Sequence, residues 1–123
     1  MRKRQMYQVV KLFKTVLNLE GVKIRVRIND NLDKFTLAEV VERKGSYAIN
    51  IDPSVKGERK VVELIGHEMT HIKQFVYDAL DLDKCSFKGD EYIIESDLDY
   101  WFSPWEIEAR GMEMALWAYF CDA

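Results

Sequence analysis

Glu58-Arg59-Lys60-Val61-Val62-Glu63-Leu64-Ile65-Gly66-His67-Glu68-Met69-Thr70-His71-Ile72-Lys73-Gln74-Phe75-Val76-Tyr77 is the stretch that decides how this chain is read. Val61, Val62, Leu64, Ile65, Met69, Ile72, Phe75 and Val76 recur at helical spacing and form a broad apolar face. The spacing predicts a helix from 58 to about 77. The chain's 2 histidines, His67 and His71, both lie on it, four residues apart. Four residues make slightly more than one turn, so both imidazoles leave the same face, one above the other. Such a pair can share one ion at the roughly 2.0–2.1 Å nitrogen distance that zinc prefers. Glu68 follows the first histidine. In this arrangement it is not a ligand: its carboxylate lies beside the open metal position and can take a proton from bound water, whose pKa zinc lowers from about 15.7 to about 7.

Histidine pairs on helices are often only surface residues, and a five-residue motif with two free positions also occurs by chance. Three features favour the metal reading here. The motif lies inside a strongly apolar helix, its free positions Met69 and Thr70 are uncharged, and no histidine is spent elsewhere.

Outward from this helix, the N-terminal flank reads as a helix followed by strands. Met6, Val9, Val10, Phe13, Val16 and Leu17 have helical spacing over residues 2–19, with Asn18 and Gly21 as stop signals. Val22, Ile24, Val26 and Ile28 alternate with Lys23, Arg25 and Arg27, which predicts a half-buried strand with one solvated basic face. A less regular strand is expected over 36–43, a turn at Lys44-Gly45-Ser46, and a third strand over 47–51 that ends at Asp52-Pro53. That third strand is a candidate edge for pairing with an extended peptide. On the other flank, 81–103 reads as irregular, with a short hairpin around 87–94. Pro104 suits the first turn of a last helix capped by Ser103 and running to about 120, with Met112, Met114, Leu116, Trp117, Tyr119 and Phe120 as core. Helix, three short strands, helix, irregular segment and helix together predict one α+β domain over residues 1–123.

Composition narrows the setting. Nearly half the residues are apolar, at 48%, which supplies an ordinary core. The net charge of -3 gives no long-range attraction to nucleic acid, so no direct nucleic-acid contact is expected; recruitment through the basic Met1-Arg2-Lys3-Arg4 start is the weaker alternative. Lys11 and Lys14 interrupt the apolar residues behind that start, so no signal peptide is expected, and no apolar run is long enough for a membrane span. Cys85 and Cys121 fit no metal spacing and read as free thiols of an intracellular, cytoplasmic protein, with a single disulfide between them as the alternative.

Two histidines leave zinc short of a third protein ligand. With no other histidine and no suitably spaced cysteine, that ligand should be a carboxylate, and the last helix offers Glu106, Glu108 and Glu113. At this point the sequence resembles the gluzincin class of metallopeptidases, in which the zinc motif on one helix is completed by a glutamate on a later one. Glu106-Ile107-Glu108-Ala109 looks like the Glu-x-x-Ala signature of that second helix. The resemblance implies Glu106 as the third ligand, with Glu108 as its rival on a nearly opposite side of the helix. Phe87-Lys88-Gly89-Asp90-Glu91-Tyr92, together with Pro104-Trp105-Glu106-Ile107-Glu108-Ala109, is also similar to a group of small phage-associated proteins with a minimal zincin domain. That likeness covers about the second half of the chain and would place the protein inside the host cell of a phage.

The sequence departs from the class in one respect. Many gluzincins carry an aspartate four residues after the third ligand, where it orients a histidine; here that position is Arg110, which cannot accept a hydrogen bond. A supporting carboxylate would have to come from elsewhere, with Glu113 and Asp52 as candidates. Tyr92 and Tyr100 are candidate donors to the oxyanion formed on attack at a peptide carbonyl. The expectation is thus a minimal zincin-like peptidase acting on peptide or protein substrates, with zinc on His67, His71 and Glu106 and with Glu68 as general base. The alternative is an interaction module that keeps the zinc site, for the stability a bridging metal gives, without turnover.

Overall fold

The computed structural model describes residues 1–123. Helix α1 (Lys3–Leu17) buries Met6, Val9, Val10, Phe13 and Leu17, the apolar stripe read from the sequence, whereas Val16 is exposed. It ends at Asn18, which takes a left-handed conformation (φ 58°) and sends its N–H to the Lys14 carbonyl. Strand β1 (Ile24–Ile28) follows, then β2 (Ala38–Arg43) and β3 (Ser46–Ile51). The turn between β2 and β3 is Lys44-Gly45, with φ of 53° and 79°, the two positive values of a tight hairpin turn whose twist matches its strands. Arg43 opposite Ser46 closes that hairpin.

The sheet order is β1-β3-β2, with β1 parallel and β2 antiparallel to β3. This corrects the expectation that 47–51 is an edge: β3 is the central strand, hydrogen-bonded on both sides. The free edge beside the helices belongs to β2. Tyr47, Ile49 and Ile51 on β3, with Ile24 and Val26 on β1, face the core. The alternation fails at Ile28, the last residue of β1, which is exposed.

Helix α2 (Glu58–Tyr77) has the bounds its pattern predicts. Val61, Val62, Ile65, Met69 and Ile72 pack into one core with α1 and the sheet. Helix α4 (Pro104–Asp122) lies against α2, and Gly66 marks the closest approach. A Cβ there would stand 3.1 Å from Leu116 Cδ1 and 3.4 Å from Phe13 Cε2, so a larger residue would make these side chains give by a few tenths of an ångström. Of the residues expected as core in α4, only Leu116 is fully buried; Met112, Trp117 and Phe120 pack partly, and Met114 and Tyr119 are exposed. Packed along one side, α4 buries one stripe and leaves the rest of its apolar residues partly or fully exposed.

Between α2 and α4 runs the hairpin β4 (Ser86–Phe87) and β5 (Asp90–Glu91), shorter than expected, followed by α3 (Asp97–Trp101), which the sequence reading missed. Ser96 caps α3 by accepting the Asp99 N–H, and Asp97 and Asp99 complement its positive end. Phe87 and Tyr92 meet the Trp105 ring edge-on at 6.1 and 5.7 Å between centroids, with Leu80 completing a second small core. This cluster fixes the start of α4. Ser103 precedes that helix but does not cap it with its side chain; its hydroxyl donates to the Tyr100 carbonyl at 2.7 Å and so ties α3 to α4. No helix is long and apolar enough to cross a membrane.

Candidate metal centre

The paired histidines of α2 project toward the first turn of α4. There Trp105 faces the small second core, and the next residue, Glu106, turns toward α2. Glu106 Oε1 lies 3.2 Å from His67 Nε2, and Glu106 Oε2 lies 2.8 Å from His71 Nε2. One ligand atom from each of the three residues falls within 4.8 Å of the others, and this His-His-Glu group can hold a metal ion. Two imidazole nitrogens and a carboxylate are donors that suit a divalent transition-metal ion, and each Nε2 faces its own Glu106 oxygen.

Both imidazoles are oriented from behind. His67 Nδ1 lies 3.2 Å from Glu113 Oε1, and His71 Nδ1 lies 2.7 Å from Gln74 Oε1. An ionised carboxylate only accepts, so His67 donates its Nδ1–H and turns Nε2 to the cleft. For His71 the same assignment follows from Gln74. Its amide nitrogen donates to the Trp105 carbonyl and to Glu108 Oε1, both at 2.9 Å, which leaves its oxygen to accept from Nδ1–H. Glu108, the rival ligand, therefore lies away from the histidines. It anchors Gln74 and pairs with Lys73 at 3.3 Å. Glu113 stands as the supporting carboxylate of His67, whereas Asp52 accepts from the Ser54 N–H in its own turn. Arg110 orients no histidine; its guanidinium stacks on Trp101 at 3.9 Å and donates to the Trp101 carbonyl at 2.6 Å.

The charges of the group are strongly coupled. Burial by itself would lower the pKa of both histidines, but their hydrogen bonds to Glu106 and the nearby carboxylates, Glu68 among them, outweigh it and raise both. For Glu106 burial would raise the pKa; the bonds from the two imidazoles reverse that and hold it well below the carboxylate range. Glu68 is buried on the same cleft, and burial pushes its pKa up, against the pull of His71 and His67 and with a further push from Glu106. Tyr100 donates to Glu106 Oε2 at 3.0 Å; burial and the Glu106 charge raise its pKa, so it remains a donor at neutral pH. Tyr92, the other candidate donor, packs on Trp105 instead.

The cleft over the group has a volume of about 540 Å³. Thr36, Leu37, Ala38, Glu39 and Val40 form one bank, along the free edge of β2, and Tyr100, Trp101 and Leu82 stand on the other. Cys85 and Cys121 are free thiols. Gln74 is the residue the sequence reading missed. Its signal was a polar side chain within an apolar helix, three residues after His71 and so on the same face. The chain matches no protein-family model, no curated protein and no solved structure.

Proposed function

We propose that the chain is a zinc-dependent peptidase of zincin-like architecture, with the metal held by His67, His71 and Glu106. The observation that carries this reading is the division of labour among the carboxylates. Glu106 meets both Nε2 atoms, while Glu68, next to one histidine in sequence, stays outside the group and borders the cleft. The donor set of two imidazoles and one carboxylate suits zinc and leaves a fourth position open. When bound, zinc supplies a Lewis acid for the scissile carbonyl and makes water acidic enough to attack at neutral pH.

The chain's own residues supply the rest. Glu68 accepts a proton from the attacking water and returns it to the leaving amine as the C–N bond breaks. A carboxylate bordering the cleft there can serve both halves of that transfer. Tyr100 borders the cleft, and its hydroxyl, which donates to Glu106 Oε2, would have to turn from that carboxylate to donate to the oxygen that gains negative charge. The free edge of β2 offers backbone donors and acceptors to an extended peptide, which favours a peptide or protein substrate over a small molecule.

The test is Glu68→Gln. The swap nearly preserves shape but cannot accept the proton. Zinc content and fold should be retained, and cleavage of a peptide library should fall by about 10²–10⁴. A Gln variant as active as the parent would remove Glu68 from the chemistry. A zinc-loaded parent that cleaves nothing across a broad library would favour a binding module without turnover.

A further inference from the structure

The sheet has a second face, turned away from the helices and unconnected with the metal cleft. Arg25 and Arg27 of β1, Arg43 at the end of β2, Lys23 just before β1 and Lys44 in the hairpin turn border one groove there, of about 480 Å³. All five are exposed, and no carboxylate lines the groove; Glu42 stands close by and accepts from the hydroxyl of the lining Tyr47 at 3.5 Å. None takes part in an ion pair. Arg27 is steadied over the face by its Nε–H bond to Asn50 Oδ1 at 3.1 Å.

The net charge of -3 conceals this concentration. Residues 1–51 carry 11 Lys and Arg against 5 Asp and Glu, whereas residues 52–123 carry 7 against 16. Five of those eleven cations border the groove, and one sign of charge gathered there points to a polyanionic partner. An expectation drawn from net charge alone averages it away.

We propose that this groove binds the phosphate backbone of a nucleic acid. Its cations are spread rather than convergent. Arg25 and Arg27 are one strand repeat apart, about 6.6–6.8 Å along β1, and the outer strands lie two spacings apart, about 9.5 Å across β3. A run of phosphates can meet cations at both intervals at once. The groove holds no bulky exposed apolar residue to enter a bilayer, since Val41 is the only exposed apolar side chain on it. Tyr47, its one aromatic, is buried and offers no stacking platform, so the contacts are to backbone and independent of base sequence. The metal cleft opens along the edge of β2 rather than on this face, so both sites can be filled at once.

The test is fluorescence anisotropy of the full chain with a short labelled duplex and with a single strand, at ~50 and ~200 mM salt. Each phosphate contact contributes about 0.9 to the log–log salt slope on duplex, so three engaged cations cost about 40-fold in affinity over that range and five about 500-fold. The combined Lys23→Gln, Arg25→Gln and Arg43→Gln variant, whose side chains make no internal hydrogen bond, should lose roughly one unit of slope per cation and at least about tenfold in affinity. Should that variant fail to fold, Lys44→Gln in the exposed turn should alone lower the slope by about one. Substituting Arg2, Lys3 and Arg4 by Gln should change affinity by less than about twofold. Several results would overturn the proposal: no binding to either oligonucleotide at the lower salt; a parent slope shallower than about one; a larger loss from the N-terminal variant than from the groove variant; binding to phosphatidylserine vesicles without binding to nucleic acid; or full displacement of the oligonucleotide by inorganic pyrophosphate at equal charge.

Discussion

Gln74→Met separates the hydrogen-bonding role of Gln74 from its packing role. Methionine is unbranched and of similar length, so it fills the same fully buried space. What it removes is three hydrogen bonds: from His71 Nδ1 at 2.7 Å, and to the Trp105 carbonyl and Glu108 at 2.9 Å each. The His71 N–H is then buried without a partner, at about 1–3 kcal/mol, while the Trp105 carbonyl, in the first turn of α4, keeps its place as an acceptor within the helix. Glu108 is partly exposed and keeps Lys73, so its loss adds little. The apoprotein should therefore lose about 1–3 kcal/mol, and at roughly 3–5 °C per kcal/mol its Tm should fall by at least about 3 °C. The His71 ring also becomes free to turn and to change tautomer, so zinc affinity should fall about 10–100-fold. Thermal unfolding of the metal-free protein and a competition titration with a chelating dye read the two effects independently. A Met variant that melts within about 2 °C of the parent and binds zinc within about twofold of it would refute the orienting role assigned to Gln74.

Other substitutions probe the rest of the centre. Glu106→Ala removes the carboxylate shared by both imidazoles and should weaken zinc by at least about 100-fold, or about 2.8 kcal/mol. Glu108→Ala acts only through Gln74 and should cost less than about tenfold; the reverse ranking in a zinc titration would mean that the other face of α4 meets the metal. Gly66→Ala sets a gain in helix propensity of about 1 kcal/mol against crowding of Leu116 and Phe13 that costs about 1–3 kcal/mol. A slightly destabilised protein with weaker zinc binding is expected as α4 is pushed off α2, and an unchanged zinc affinity would show that Glu106 does not depend on that close approach.

The parts of the fold legible in the sequence were those with a long or strict pattern. Helix α2 is twenty residues with one apolar face, and its bounds followed directly. The Lys44-Gly45 turn sits between two alternating segments and marks its hairpin. Helix α3 spans only 5 residues and buries none of them, so it has no apolar period to detect; Ser96 followed by two aspartates was its only signal. Sheet order was not legible either. Alternation shows that Tyr47, Ile49 and Ile51 share a face but says nothing about which strand lies between the others, and β3 proved central. Within the centre, the four-residue spacing put His67 and His71 on one face, and Glu68 was read from the motif they form. The choice between Glu106 and Glu108 depends on the rotation of α4, which Trp105 sets by entering the core of the 86–91 hairpin. Glu113 follows Glu106 by seven residues, two turns along the same face, which is why one helix supplies both Glu106 and the support for His67.

The central claim is a zinc ion held between α2 and α4. Anomalous diffraction at the zinc edge from crystals of the zinc-loaded full chain tests it most directly. A single peak about 2.0–2.2 Å from His67 Nε2, His71 Nε2 and a Glu106 oxygen is expected, with Glu68 beyond bonding distance. A peak bound through Glu108 or Glu113, or one remote from both histidines, would contradict it.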